Sequence, residues 1–413
     1  MALGALFGPK FTKYGRRKTM LYSLAVLMVL CLLSAVGLHL ADIVVLRFLV
    51  GVFCGFFCSL VPIYISEVSP ADKRGKYGIL HQLFLTFGIL LSSLIAVPLP
   101  AAYPIDNVYS EAPMFVSVYW RVNMAACVLP CVIAFLLLWL CFDYETPFYY
   151  YDKGQQEDVK KLLALNYCRP NVEKEYADLV NAVKMNENLA AKKVGLLDGL
   201  RSASFRTVIL VAIAINISQQ LTGINIFMTS SNALFVSAGL SGVWPTIVTV
   251  LMNALNSLMT FAPVYLIEKK GRKWLLVAGS IGIIVSVLPA TVLFWLLGTE
   301  HKASQILAIA GSLLFICFFA ATFGGVVWVY TFEIFPDELR MSCAGACVSI
   351  NWLTGIVLVF VAQYVGIRTN FTIFTVLNIL VLAFCVLCIK ETKGLPLGKS
   401  PYIKEAETPA AKI

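Results

Sequence analysis

The sequence predicts an all-α protein that crosses a membrane many times and consists of two repeated helix bundles. Apolar residues make up 59% of its 413 residues and charged residues only 13%, which is too little charge to cover the surface of a soluble domain. The apolar residues gather into runs of the length that a helix needs to cross ~30 Å of hydrocarbon, about twenty residues. Short polar motifs beside these runs occur once in each half of the chain. Such an internal repeat is typical of membrane transporters.

Ten apolar runs are predicted to be transmembrane helices. A shorter apolar stretch at residues 2–7 precedes them, and we interpret it as the last third of another helix because it is too short to span a membrane. The predicted spans are residues 20–38, 43–65, 77–99, 118–142, 206–238, 243–267, 274–297, 303–330, 341–366 and 370–389.

The distribution of basic residues predicts the orientation of these spans. Lysine and arginine are concentrated in alternate connections, at residues 9–19, 67–76 and 268–273, whereas residues 100–117 contain neither. Basic loops stay on the cytoplasmic side of a membrane. We therefore expect these three loops in the cytoplasm, together with the segment 143–205 and the carboxyl-terminal tail.

These patterns divide the chain into four predicted parts. Residues 1–142 form an incomplete amino-terminal bundle, and residues 206–389 form a carboxyl-terminal bundle of six helices. Between them, residues 143–205 are predicted to form a cytoplasmic linker with short amphipathic helices at the membrane surface. Residues 390–413 are predicted to be a cytoplasmic tail.

The sequence shows no catalytic or metal-binding pattern. The three histidines, His39, His81 and His301, are isolated, and most of the twelve cysteines lie in apolar runs, as helix-packing residues do. Cys127 and Cys131 lie one helical turn apart but lack the further ligands of a zinc site. The net charge of +9 is spread over short loops, a pattern typical of membrane topology. We expect no enzymatic activity, metal, cofactor or nucleic-acid partner.

Charged motifs recur at the predicted cytoplasmic helix ends of both halves. Gly15-Arg16-Arg17-Lys18 recurs as Gly271-Arg272-Lys273, and the sequences that begin at Glu67 and Glu333 recur together with the arginines that follow them. Carboxylates and guanidinium groups can pair bidentately, so such pairs could clamp the two halves together and separate when the protein opens inward. The alternative is that these residues form solvated surface pairs, which contribute little to stability. The predicted cytoplasmic gate consists of Arg16, Arg17, Glu67, Arg74, Glu145, Arg272, Glu333, Arg340 and Glu391.

Neutral amide side chains lie inside the predicted spans. Amides both donate and accept hydrogen bonds, which suits a neutral ligand with many hydroxyl groups. Gln219 and Gln220 share a predicted helix with Asn216, and Gly223 follows where that helix could break, as helices do at transporter sites. Hydrogen bonding between helices is the alternative, and we favour it for the lone Asn256. The candidate amides are Gln82, Asn216, Gln219, Gln220, Asn225, Asn253, Asn256 and Asn351.

As a set, these motifs resemble the sugar porter family of the major facilitator superfamily, in particular the animal facilitative glucose transporters. The resemblance runs from residue 1 to about residue 397. The strings that carry it are Tyr14–Lys18, Pro62–Pro70 with Arg74-Gly75, Gln219–Asn225, Asn351-Trp352 and Glu391–Gly394.

The resemblance implies the major facilitator fold, with two pseudo-symmetric bundles. The family's first transmembrane helix is absent from this sequence, so the amino-terminal bundle would run from a partial second helix to the sixth. We interpret the absence as a fragment, a wrongly assigned start or a truncated isoform. The resemblance also implies a sugar-binding site, in which Trp328 is identified only by the family pattern. The implied substrate-binding residues are Gln82, Gln219, Gln220, Asn225, Asn253, Trp328 and Asn351.

The function that follows is facilitative transport of a hexose by alternating access. The substrate would bind at the midplane between the two bundles, in a multi-pass protein of the plasma membrane, and no ion would be needed. Two alternatives stay open: a proton-coupled sugar symporter, which would need a buried ionisable group, and a non-transporting truncated isoform or sugar sensor.

Because of several departures from the family pattern, we predict a hexose-like substrate without specifying glucose. Thr229-Ser230 stands where the family has a tyrosine pair, which should loosen an outer gate. Asn216 replaces a glutamine. Thr322-Phe323-Gly324-Gly325 replaces Gly-Pro-Gly-Pro, and the loss of both prolines should stiffen a helix that bends during transport.

Overall fold

The computed structural model describes residues 1–11, 14–69, 74–98, 114–168, 171–190, 196–229, 231–394 and 400–403. Within these ranges every regular element is a helix. In the first half the helices are α1 (Ala2–Phe11), α2 (Arg16–Val36), α3 (Leu40–Val68), α4 (Arg74–Ala96), α5 (Met114–Ala125), α6 (Val128–Leu136, continued by a π-helical turn at Leu137–Cys141), α7 (Pro147–Asp152), α8 (Gln156–Tyr167), α9 (Glu173–Ala190) and α10 (Leu196–Arg201). In the second half they are α11 (Ala203–Leu221), α12 (Ile224–Thr229), α13 (Ser231–Ser237), α14 (Trp244–Met259), α15 (Ala262–Lys270), α16 (Arg272–Leu296), α17 (Lys302–Ala321), α18 (Phe323–Glu333), α19 (Asp337–Ala362) and α20 (Ile367–Leu387).

The described helices confirm a polytopic all-α protein. Eight spans in the described residues are long and apolar enough to cross a membrane, and the pair α14 and α15 makes a ninth when counted together. The shorter apolar helix Leu80–Ala96 lies where the remaining span was predicted. Each of the ten apolar runs found in the sequence therefore coincides with helix.

The chain forms two compact units, which differ from a simple division into halves. The first comprises Met1–Met185 and Ser230–Leu258, and the second comprises Asn186–Thr229 and Met259–Ile413. The four-part division drawn from the sequence stays a prediction.

In the first unit, the short apolar stretch at the start of the chain is a helix that packs on α3. Gly4 and Gly55 make this contact possible, because a Cβ atom on Gly4 would overlap the backbone of Val52 and one on Gly55 would overlap the backbone of Met1. The neighbouring Ala5 is fully buried. Further along, α2 and α3 share an apolar cluster around Leu30, Cys31 and Val50.

The predicted linker contains the short helices α7 to α10. Helices α8 and α9 have a small apolar core of their own, formed by Val159, Leu163, Val172, Leu179 and Val183. Exposed Lys160 pairs with Glu173 at 2.7 Å on the outside of this core. The described part of this segment is therefore folded, and its placement at a membrane surface stays a prediction.

In the second unit, α16 is the central helix and packs against α17 and α20. Phenylalanines fill the space between these helices: Phe294 meets Phe371 edge to face, with ring centroids 5.3 Å apart, and Phe315 stacks on Phe227 at 4.3 Å. This apolar core holds α11, α12 and α18 in the same unit, where most of the predicted site residues lie.

Candidate functional site

The helix that carries the paired glutamines is broken where the sequence indicated. Helix α11 ends at Leu221 and α12 begins at Ile224. Gly223 between them has φ of 94°, and a Cβ atom there would lie 2.8 Å from Cδ1 of Phe374. The break leaves the carbonyl of Thr222 without a helical partner, and Asn378 on α20 donates to it from Nδ2 at 3.2 Å.

Four predicted site residues meet at this break in a chain of amide hydrogen bonds. Asn225 donates to Oε1 of Gln220 at 2.6 Å, and Gln220 donates to Oδ1 of Asn351 at 2.6 Å. Asn351 in turn donates to Oε1 of Gln219 at 2.8 Å. A Cβ atom on Gly355 would lie 2.9 Å from Nδ2 of Asn225. The site thus combines four neutral amides with a glycine that leaves room for them.

The same cluster reaches a second interrupted helix. Thr322, between α17 and α18, has φ of −137° and ψ of −85°, and Nε2 of Gln219 donates to the carbonyl of Phe323 at 3.0 Å. The chain therefore breaks this helix without the prolines of the family pattern. The stiffening expected from their absence stays a prediction. Trp328 lies half-buried on α18.

Asn216 also ties the cluster to α18. Its Nδ2 donates to Oγ1 of Thr331 and to the carbonyl of Ala212, both at 2.8 Å. Its Oδ1 is buried and has no hydrogen-bond partner among the described residues. The sequence pointed to Asn216 but not to Thr331 or Asn378. Asn378 is an amide within an otherwise apolar span, which was the signal available for it.

Gln82 and Asn253 belong to the first unit. Gln82 is half-buried on α4. Asn253 is buried on α14, with an Oδ1 that lacks a partner in the described part of the chain. The described contacts therefore join four of the seven predicted ligands, and the binding role of all seven stays a prediction.

Arginine–glutamate pairs occupy equivalent helix ends in both units. Arg272 forms a bidentate pair with Glu333, with Nε 3.0 Å from Oε2 and Nη2 2.7 Å from Oε1. Arg16 directs both Nε, at 3.3 Å, and Nη2, at 2.9 Å, to Oε1 of Glu67. Glu333 also accepts a hydrogen bond from Oγ1 of Thr392 at 2.7 Å.

A second carboxylate caps the next helix in each unit. Glu391 accepts from the backbone N–H groups of Arg272 at 2.8 Å and Lys273 at 3.0 Å, at the start of α16. Burial alone would raise the pKa of Glu391, but these N–H groups and those of residues 392 and 393 hold it below its usual value. Negative charge is favourable at a helix N-terminus.

Glu145 makes the equivalent contacts at the start of α2. It accepts from the backbone N–H groups of Arg17 at 3.0 Å and Lys18 at 2.9 Å. Gly15 precedes that helix with φ of 111°, and Gly271 precedes α16 with φ of 87°. A Cβ atom on either glycine would lie 2.5 Å from an oxygen of the capping glutamate.

These contacts join residues of the same unit. Arg17 likewise pairs with Asp143 at 3.0 Å within the first unit. The side chains of Arg74 and Arg340 lie outside what the structure describes. A gate that closes one half on the other therefore stays a prediction.

The carboxyl-terminal segment 400–403 docks on the end of the second unit. The hydroxyl of Tyr402 lies 2.6 Å from that of Tyr330, accepts from the backbone N–H of Lys390 at 2.8 Å and donates to the carbonyl of Cys388 at 3.0 Å. Tyr330 is fully buried on α18. The sequence gave no indication of this contact.

Comparison with known proteins decides the family. The family model described as "Sugar (and other) transporter" matches residues 1–403. The chain belongs to this family. It is therefore a multi-pass membrane protein of the sugar transporters, and the family resemblance inferred from its motifs is confirmed.

Individual proteins that are similar to this chain are also named as sugar transporters. The chain is 34% identical over 411 residues to "Hexose transporter 1" of Plasmodium knowlesi, with 97% of this chain and 81% of the relative covered. It is 28% identical over 411 residues to "Glucose transporter GlcP" of Staphylococcus epidermidis, with 97% and 86% covered.

Solved structures establish the fold. The xylose transporter XylE of E. coli in a partially occluded inward open conformation matches with a TM-score of 0.77 at 20% identity, over 96% of this chain and 86% of that one. Another structure of XylE, described as a major facilitator superfamily proton:xylose symporter, matches with a TM-score of 0.75 at 21% identity, over 96% and 85%. The fold is the major facilitator fold, as the sequence predicted.

Proposed function

We propose that this protein carries a hexose across a membrane by facilitated diffusion. The observation that carries the proposal is the chain of neutral amides formed by Gln219, Gln220, Asn225 and Asn351 at a broken helix. Near full-length similarity to proteins named hexose transporters supports the choice of substrate.

The chemistry of the cluster suits an uncharged polyol. Each sugar hydroxyl can donate and accept, and so can each amide, so a hexose can replace the hydrogen bonds that the amides make with one another. No charge has to be buried in this exchange, which would otherwise be costly in a membrane. The half-buried Trp328 would offer an aromatic face to the apolar side of the sugar ring.

Alternating access would complete the mechanism. Gln82 and Asn253 would be further ligands of the sugar, which would bind at the midplane of the membrane. The cytoplasmic arginine–glutamate pairs would keep each bundle's inner end rigid while the bundles move. The basic loops would face the cytoplasm, and the protein would reside in the plasma membrane.

The test is uptake of radiolabelled glucose and fructose by yeast that lacks its own hexose transporters. We expect saturable uptake by the wild-type protein and its loss in Gln220→Leu, because both hydrogen-bond partners of Gln220 belong to the cluster. The matched control is Gln363→Leu, the same change at an exposed position, which should retain uptake.

Two outcomes would contradict the proposal. Absence of hexose uptake with the protein at the cell surface would favour a sugar sensor. Uptake that stops when a protonophore collapses the proton gradient would establish a proton-coupled symporter instead.

A further inference from the structure

Helix α14 carries three polar side chains on one face. Thr246, Asn253 and Ser257 occupy positions i, i+7 and i+11, which lie above one another on an α-helix. All three are at least nine-tenths buried, with exposures of 4%, 4% and 8%. Asn253 is a predicted sugar ligand, whereas Thr246 and Ser257 were not singled out by any motif.

Each of these three side chains has one polar oxygen without a hydrogen-bond partner in the described part of the chain. Oγ1 of Thr246, Oδ1 of Asn253 and Oγ of Ser257 are buried and accept or donate no hydrogen bond among the described residues. Buried polar atoms in folded proteins almost always have a partner, either in the protein or in a bound molecule. Three exceptions on one face of one helix indicate a polar occupant.

Ser257 differs from other buried hydroxyl residues of this protein. Ser280, Ser286 and Ser312 each donate to the carbonyl four residues earlier, at 2.9, 2.7 and 2.7 Å. This back-bonding satisfies a hydroxyl inside a helix without any outside partner. Ser257 lies in the last turn of α14 and lacks that bond, so its hydroxyl is free to serve a ligand.

We propose that Ser257 and Thr246 bind sugar hydroxyls on either side of Asn253. The proposal rests on the proposed function and extends its site along α14, with a polyhydroxylated monosaccharide as the ligand. At 1.5 Å per residue, Ser257 lies about 6 Å along the helix axis from Asn253, and Thr246 lies about 10 Å away in the other direction.

These spacings assign different roles to the two residues. Ser257 is one turn from Asn253, so the same sugar molecule contacts both. Thr246 is two turns from Asn253, and it lies toward the outer side if the loop 268–273 is cytoplasmic. The sugar therefore contacts Thr246 on its way to the site. Ser257 thus contributes to affinity and selectivity, and Thr246 to the rate of access.

The experiment measures uptake kinetics for glucose and for the series of monodeoxyglucoses in the yeast described above. We expect Ser257→Ala to raise KM for glucose by about three- to tenfold, the effect of losing one neutral hydrogen bond. That increase should vanish for the one deoxyglucose that lacks the hydroxyl bound by Ser257. Thr246→Val should lower kcat/KM by a similar factor for every sugar.

Ser280→Ala is the matched control, because this buried serine has its hydroxyl satisfied within its own helix. It should leave KM unchanged for all sugars. An unchanged KM in Ser257→Ala, with uptake still abolished by Gln220→Leu, would overturn the inference alone. An equal rise in KM for every deoxyglucose would also overturn it, since that pattern marks a packing role. Absence of hexose uptake by the wild-type protein would overturn the proposed function and the inference together.

Discussion

Gly223 has a backbone conformation that side chains avoid, and the amide cluster depends on it. Its φ of 94° lies in the left-handed region, and a Cβ atom would contact the ring of Phe374 at 2.8 Å. We expect Gly223→Ala to lower stability by about 1–3 kcal/mol, the range for a residue held in such a conformation. Thermal unfolding of the purified protein in detergent measures the change.

Gly345→Ala is the matched control for that prediction. Gly345 lies within α19, and a Cβ atom there would meet nothing within 4 Å. Alanine is favoured over glycine inside a helix by about 1 kcal/mol, so this variant should be at least as stable as the wild type. Equal destabilisation by the two changes would show that the break at Gly223 tolerates a side chain.

Individual residues of the site could be predicted where their chemistry is unusual for their surroundings. Paired amides in an apolar run, such as Gln219 and Gln220, have few explanations, and the structure brings them together with Asn225 and Asn351. Thr331 could not be predicted in the same way. Threonines are common in transmembrane helices, and its role depends on the distant Asn216 that donates to it.

At the scale of elements, the capped start of α16 shows how a loop carboxylate holds a helix. Glu391 accepts from the N–H groups of Arg272 and Lys273, which an isolated helix would leave without partners. In Glu391→Gln one oxygen is replaced by an NH2 group that cannot accept. We expect a loss of about 0.5–2 kcal/mol, as for other helix caps.

The pH dependence of that loss follows from the direction of the pKa shift. Backbone N–H groups lower the pKa of Glu391 in the folded protein, so its contribution is complete above the unfolded pKa of about 4.3. The contribution disappears as pH falls through the lower folded value. The difference in melting temperature between wild type and Glu391→Gln should therefore stay constant from pH 8 to about 5 and shrink in stronger acid. The same change at exposed Glu300 should have little effect at any pH.

The sequence predicted the transmembrane helices well, because their length and composition define them. It predicted the helix breaks less well, because these depend on backbone geometry. Each of the ten predicted apolar runs coincides with helix in the described residues, because a helix in lipid must be long and apolar. Gly223 indicated the position of one helix break in the sequence, because glycine permits positive φ. The break at Thr322 falls on a residue that is neither glycine nor proline, and Gln219 donates to the carbonyl of Phe323 beside it. The sequence of that helix alone did not reveal it.

At the scale of the whole molecule, the repeat gives both units the same arrangement of side chains at these helix ends, with one difference in geometry. Each unit has a glycine before a helix, an arginine paired with a glutamate, and a second glutamate that caps the helix. The arginine–glutamate pairs differ: Arg272 uses two nitrogens on two oxygens of Glu333, whereas the two described bonds from Arg16 to Glu67 go to one oxygen. The bidentate arrangement is the stronger of the two.

This difference predicts that the repeated arginines are unequal. Lysine keeps the charge but cannot form a bidentate pair, so Arg272→Lys should cost about 1.5–3 kcal/mol of stability. Arg16→Lys should cost less, because a single ammonium can still reach Oε1 of Glu67. Thermal unfolding of both variants and of the double variant measures the two effects, and they should add because the pairs lie in separate units. A larger loss for Arg16→Lys would show that this helix end of the first unit depends more on its arginine than the bond geometry indicates.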